Sequence, residues 1–155
     1  MEKSIIISPY SRGPGNAKNY PFWPELCELL TKNYKLIQVG KGDEQRINLG
    51  IGAPISYKFD LPLPEVEKLL AEAGFFIAVD NMLHHMAHYL SVPGIVLWGP
   101  SDPELFGYKD QVNIIKDRSL LRKDQFGFYK GDYKWEHATT GWYPPEVVIT
   151  MGKVK

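Results

Sequence analysis

Cysteine, charge of one sign and long apolar runs are all scarce in this sequence, and each shortage excludes something. Cysteine occurs once, at Cys27. One thiol makes neither an internal disulfide nor a cysteine-built zinc site, and a reducing, cytoplasmic setting is the expectation. The 18 basic residues are balanced by 18 acidic ones, so no global field recruits nucleic acid or an anionic membrane. No apolar run approaches the ~18 residues of a transmembrane segment. The opening residues, MEKSIIISPYSRGPG, hold three strongly apolar residues in a row, too few for a signal peptide. What remains is ordinary: a hydrophobic share of 44% and a charged share of 23% suit one globular domain across residues 1–155.

The most informative stretch runs from Phe75 to Pro103. An apolar run, Phe75–Val79, is short enough for a buried strand. Asp80 and Asn81 follow, both good N-cap residues, and predict a helix to about Leu90. Ser91, Val92, Pro93 and Gly94 break it, and Ile95–Trp98 supplies another apolar strand. The turn Gly99-Pro100-Ser101-Asp102-Pro103 then leads to a further helix start. This is a βαβ unit with two neighbouring helix N-termini, whose free N–H groups suit phosphate.

Ser4–Ser8 reads as a first buried strand, followed by a loop carrying Gly13, Pro14 and Gly15. That loop has neither Walker nor GxGxxG spacing, so as a phosphate loop it is weak. Pro21–Asn33 has helical spacing, Lys35–Val39 is a second strand, and one short strand is expected at either Ile47–Ile51 or Ile55–Phe59. Pro64–Ala73 is a helix between an early proline and Gly74. Val112–Lys116 reads as a last strand and Pro144–Met151 as a terminal helix, within an irregular, aromatic-rich segment over about 117–155. The alternation predicts an α/β fold: a single Rossmann-like domain, its mostly parallel sheet covered by helices on both faces.

Open parallel sheets bind ligands at the carboxyl ends of their strands. That rule gathers the loop Pro9–Lys18, the turn Gly40–Glu44, the Asp80–His85 cap and the Gly99–Asp102 turn. Glu44 ends the second strand, where such folds place an acid on ribose hydroxyls; a solvated turn carboxylate is the plainer reading. Lys18 is either a phosphate cation or a surface lysine ahead of a helix. His84 and His88 share a helical face at a spacing compatible with chelation, but no third ligand is evident in the sequence and no metal is expected. His85, one turn after Asn81, either donates to a phosphate oxygen or caps and packs. Asp80 is expected to accept backbone N–H groups and hold the cap.

These residues resemble a known family. FIAVDNMLHHMAHYLSVPGIVLWGPSDPELFGY is similar to the signature of glycosyltransferase family 9, the ADP-heptose:lipopolysaccharide heptosyltransferases. Lys18-Asn19-Tyr20-Pro21 resembles that family's K-x-W-P, and Gly40-Lys41-Gly42-Asp43-Glu44 its G-x-x-x-E. The likeness runs from about Ile5 to Tyr108 and implies the C-terminal, nucleotide-sugar-binding half of a GT-B fold. It would put Lys18 on the diphosphate, Glu44 on the ribose, Asp80, Asn81 and His85 by the phosphates and sugar, and Ser101, with the Gly99 turn, near the same site. Met82 replaces the family's glycine, which is expected to narrow the pocket or change the sugar that fits.

The resemblance also implies that an acceptor half with its carboxylate base belongs elsewhere, since a strand beginning at Ser4 leaves no room for it. One reading is therefore an enzyme component that binds an NDP-sugar donor, ADP-heptose-like, for glycosyl transfer. Its acceptor site and base would come from a second copy, as a homo-oligomer, or from a separate partner. Asp102 and Asp43 are candidates for the base by class only. The other reading is a non-catalytic nucleotide or nucleotide-sugar binding or sensing module, with Phe126–Tyr143 as a protein interface or lid, or more plainly a covering layer.

Overall fold

The computed structural model describes residues 3–11, 17–126 and 135–154; the Gly13-Pro14-Gly15 expectation lies outside them. Apolar segments with no polar face become the middle of the sheet. Strand β1 (Lys3–Ser8) buries Ile5, Ile6 and Ile7, and β4 (Phe76–Val79) and β5 (Gly94–Trp98) are buried at every residue. Such runs need cover on both sides, as parallel strands have. The outer strands, β3 (Ile55–Phe59) and β6 (Val112–Ile115), are more exposed, and β2 (Tyr34–Gly40) lies between β1 and β3. Of the two places offered for a strand near residue 50, the chain uses Ile55–Phe59.

Among the described residues six strands form one sheet in the order β3-β2-β1-β4-β5-β6, and every neighbouring pair is parallel. Ser8 stands opposite Ala78 and Val79 opposite Leu97, so the carboxyl ends of the central strands align. The order reverses between β1 and β4. Doubly wound sheets open a crevice at that switch point.

Helices α1 (Trp23–Leu30) and α5 (Pro145–Met151) cover one face, and α2 (Leu63–Ala73) and α3 (Met82–Tyr89) cover the other. Helix α2 ends where expected, because Gly74 takes the left-handed conformation (φ 75°) and its N–H donates to Leu70 O, a conformation cheap for glycine alone. The later aromatic residues Trp135 and Trp142 are buried in the α1 and α5 core. That part of the segment is the covering layer, while Phe126 stands exposed. Among the described residues no helix is long and apolar enough to cross a membrane.

Candidate functional site

Asn81 stands at the switch point, just after β4. Its backbone is extended (φ −150°, ψ −173°), and its Oδ1 accepts from Leu83 N at 3.0 Å, which makes it the N-cap of α3. The same amide donates to Ser8 O at 3.2 Å, Ser8 Oγ at 2.9 Å and Tyr10 O at 3.2 Å. Asn81 thus ties the end of β1 to the end of β4, and both ends of its amide are engaged by the fold.

Asp80 does not cap the helix as expected. With Asn81 already at the cap, its carboxylate turns to side chains. Lys18 Nζ lies 3.1 Å from Oδ2, and His84 Nε2 lies 3.1 Å from Oδ1. Burial pushes this carboxyl up, but hydrogen bonding from His84 and the charge of Lys18 outweigh it, so the net shift is downward. The group is a carboxylate at neutral pH. His84 is fully buried, edge-on to Trp98 at 5.4 Å, and its ring holds the Asp80 carboxylate at the helix start.

His84 and His88, whose spacing is compatible with chelation, do not converge: His88 turns to Asp110, with Nδ1 3.0 Å from Oδ2. Instead Asp80, His84 and His85 bring ligand atoms within 4.8 Å of one another, the third donor that sequence spacing did not reveal. This trio is the place among the described residues where an ion would be held. Lys18 already supplies a cation to its carboxylate, so a metal would compete with that ammonium.

His85 is half-buried, and its Nδ1 lies 2.6 Å from the Tyr108 hydroxyl. Burial first, and the neighbouring His84 second, push its pKa below the usual histidine value.

Glu44 sits at the end of β2, where its Oε1 accepts from Lys41 N at 2.6 Å. Its charge adds to burial in pushing the Tyr10 hydroxyl up, which puts the neighbouring ends of β1 and β2 in one electrostatic field. Ser101 is buried, and its Oγ has no hydrogen-bond partner among the described residues. At Gly99, the side where a Cβ would stand is filled by the Trp142 ring, whose Cζ2 would be 2.4 Å away. Tertiary packing accounts for that glycine. Met82 is the first residue of α3 and half exposed.

Two expectations about the last turn change. Helix α4 (Pro103–Phe106) is a single turn whose start is capped by Asp102, Oδ1 accepting from Glu104 N at 2.9 Å. It adds little dipole to the site. Asp102 is also held bidentately by Arg118 at 2.8 and 2.9 Å. That guanidinium above all holds its carboxyl below the usual range, which makes it a poor proton acceptor. Asp43, the other base candidate, is exposed in the turn after β2.

Gln125 braces the same turn, accepting from Asp102 N at 2.8 Å and donating to Pro100 O at 2.9 Å. The sequence reading gives neither Gln125 nor Tyr108 a role, because each reaches its partner from more than twenty residues away.

A six-stranded parallel sheet in this order, covered by helices on both faces, is the Rossmann-like α/β fold found in GT-B glycosyltransferases. The chain belongs to glycosyltransferase family 9 (heptosyltransferase), whose sequence model matches residues 1–127. It is 45% identical over 90 residues to lipopolysaccharide heptosyltransferase 1 of Salmonella typhimurium, a match covering 55% of this chain and 28% of that enzyme. Among solved structures it resembles E. coli ADP-heptose lps heptosyltransferase II, with TM-score 0.73 and 19% identity, over 97% of this chain and 45% of that one. It also resembles E. coli heptosyltransferase WaaC with ADP, with TM-score 0.70 and 20% identity, over 96% of this chain and 43% of that one. At such identities the likeness establishes the fold. The chain spans less than half the length of these relatives.

Proposed function

We propose that this domain binds the nucleotide-diphospho-sugar donor of a glycosyl transfer, ADP-heptose or a close chemical relative, and stabilises the departing diphosphate. The observation that carries this is the Lys18–Asp80 ion pair beside the α3 N-terminus, at the sheet's switch point. In the transfer, the bond from the anomeric carbon to a diphosphate oxygen breaks and the diphosphate leaves with the electron pair. The acceptor hydroxyl oxygen bonds to that carbon and gives its proton to a base.

Charge therefore accumulates on the diphosphate. Lys18, the backbone N–H groups at the start of α3 and a neutral His85 N–H are the donors this chain brings to it, without a metal ion. Asp80 orients Lys18, and Glu44 is placed for ribose hydroxyls. The nucleotide reading is supported by the family and by the ADP complex of heptosyltransferase WaaC. Asp102 is committed to Arg118, so we assign the acceptor site and the base to protein outside these residues, whether a second copy, a partner or further sequence.

Calorimetry with ADP and with ADP-heptose, in buffer containing a chelator, tests this. Binding of both is expected. Binding only after magnesium or manganese is added, or no binding at all, overturns the proposal. Transfer to an acceptor, assayed with and without an acceptor-binding partner, separates an enzyme component from a non-catalytic binding module.

A further inference from the structure

His85 has one proton to share between two ring nitrogens when neutral, and what it offers a diphosphate depends on which nitrogen holds it. An Nε2–H tautomer can donate from the side of the ring away from Tyr108. An Nδ1–H tautomer spends its proton on Tyr108 and leaves a lone pair at Nε2, which repels an anion. The group that decides this is 23 residues further along the chain.

Tyr108 Oη lies 2.6 Å from His85 Nδ1, with the two rings edge to face at 87°. A phenol is a strong donor and a poor acceptor towards imidazole, so a contact this short is best made as O–H to nitrogen. Tyr108 has little freedom to turn away. Its ring stacks on His88 at 3.8 Å and 8°, and His88 is held in turn by the Asp110 carboxylate. Its carbonyl accepts from Asn113 Nδ2 at 2.8 Å, while Asn113 Oδ1 accepts from Trp98 Nε1 at 2.9 Å at the end of β5. The hydroxyl is therefore aimed by a clamp built from α3, the turn before β6 and β5.

We propose that Tyr108 is a positioning residue: its hydroxyl donates to His85 Nδ1 and fixes the tautomer whose Nε2–H is presented to a diphosphate oxygen. The ligand half of this statement rests on the donor-binding reading above; the tautomer half does not. Near His85, Asp80 at the end of β4 and Lys18 from the loop after β1 pair with each other.

The test is Tyr108→Phe, which keeps the ring on His88 and removes the hydroxyl. Long-range proton–nitrogen correlation spectra of the ligand-free protein report the His85 tautomer directly. The wild type is expected to hold Nε2–H almost exclusively, and the variant a mixture. ADP affinity is expected to fall roughly three- to tenfold, the range for one neutral hydrogen bond. A wild-type His85 protonated at Nδ1, or a tautomer balance unchanged in the variant, overturns the assignment, and so does an unchanged ADP affinity in a protein that binds ADP. If wild type binds no ADP, the donor reading fails, and the nitrogen spectra still decide what Tyr108 does to His85.

Discussion

Lys18 Nζ stands 3.1 Å from Asp80 Oδ2, joining the loop after β1 to the end of β4 across the switch point of the sheet. The pair keeps a cation at the carboxyl ends of the central strands, oriented by a carboxylate that is itself buried. A surface lysine would have neither the partner nor the position.

Lys18→Ala is expected to weaken ADP and inorganic pyrophosphate alike, by about 1.5–3 kcal/mol, the value of a hydrogen bond to a charged group. Glu44→Ala should weaken ADP while leaving pyrophosphate nearly unchanged, since its proposed partners are hydroxyls. Calorimetry with both ligands checks the contrast. Equal losses of pyrophosphate in the two variants would remove Glu44 from the ribose.

Asp80 makes stability depend on pH in one direction. Its folded pKa is depressed, so its contribution is fully present above the unfolded value of about 3.9 and is lost as pH falls through the folded value. Asp80→Asn should cost about 2 kcal/mol at pH 7. It should also flatten the acid limb below about pH 4. Urea unfolding at pH 7 and at lower pH reads both effects.

Ser101→Ala removes a buried hydroxyl that has no partner among the described residues. Thermal stability should hold or rise, by up to about 1 kcal/mol. If the hydroxyl meets the donor, ADP-heptose binding should weaken by about the same amount. A fall in melting temperature with unchanged affinity would assign Ser101 to structure.

Gly99→Ala places a methyl 2.4 Å from Trp142 Cζ2 in a packed interior. The expected cost is about 1–3 kcal/mol, read as a lower melting temperature. Trimming the ring in the double variant Gly99→Ala/Trp142→Leu should recover part of the Gly99→Ala clash. An unchanged melting point in Gly99→Ala would show that the indole yields.

What the sequence determined by itself was everything carried by local chemistry. Unbroken apolar runs at Ile5–Ile7, Phe75–Val79 and Ile95–Trp98 required strands covered on both faces, and their alternation with helices required parallel order. Asn81 at a helix start and Gly74 at a helix end were legible because caps depend on one or two neighbouring residues. The family was legible from its signature, since those residues come in short runs. Tertiary structure alone decided how those residues are used. Asn81 became the cap and freed Asp80 for Lys18 and His84. Asp102 was taken by Arg118, Gly99 was claimed by the Trp142 ring, and His85 acquired Tyr108. Each of those outcomes depends on a partner distant in sequence or on competition for a hydrogen bond, and spacing along a chain carries no record of either.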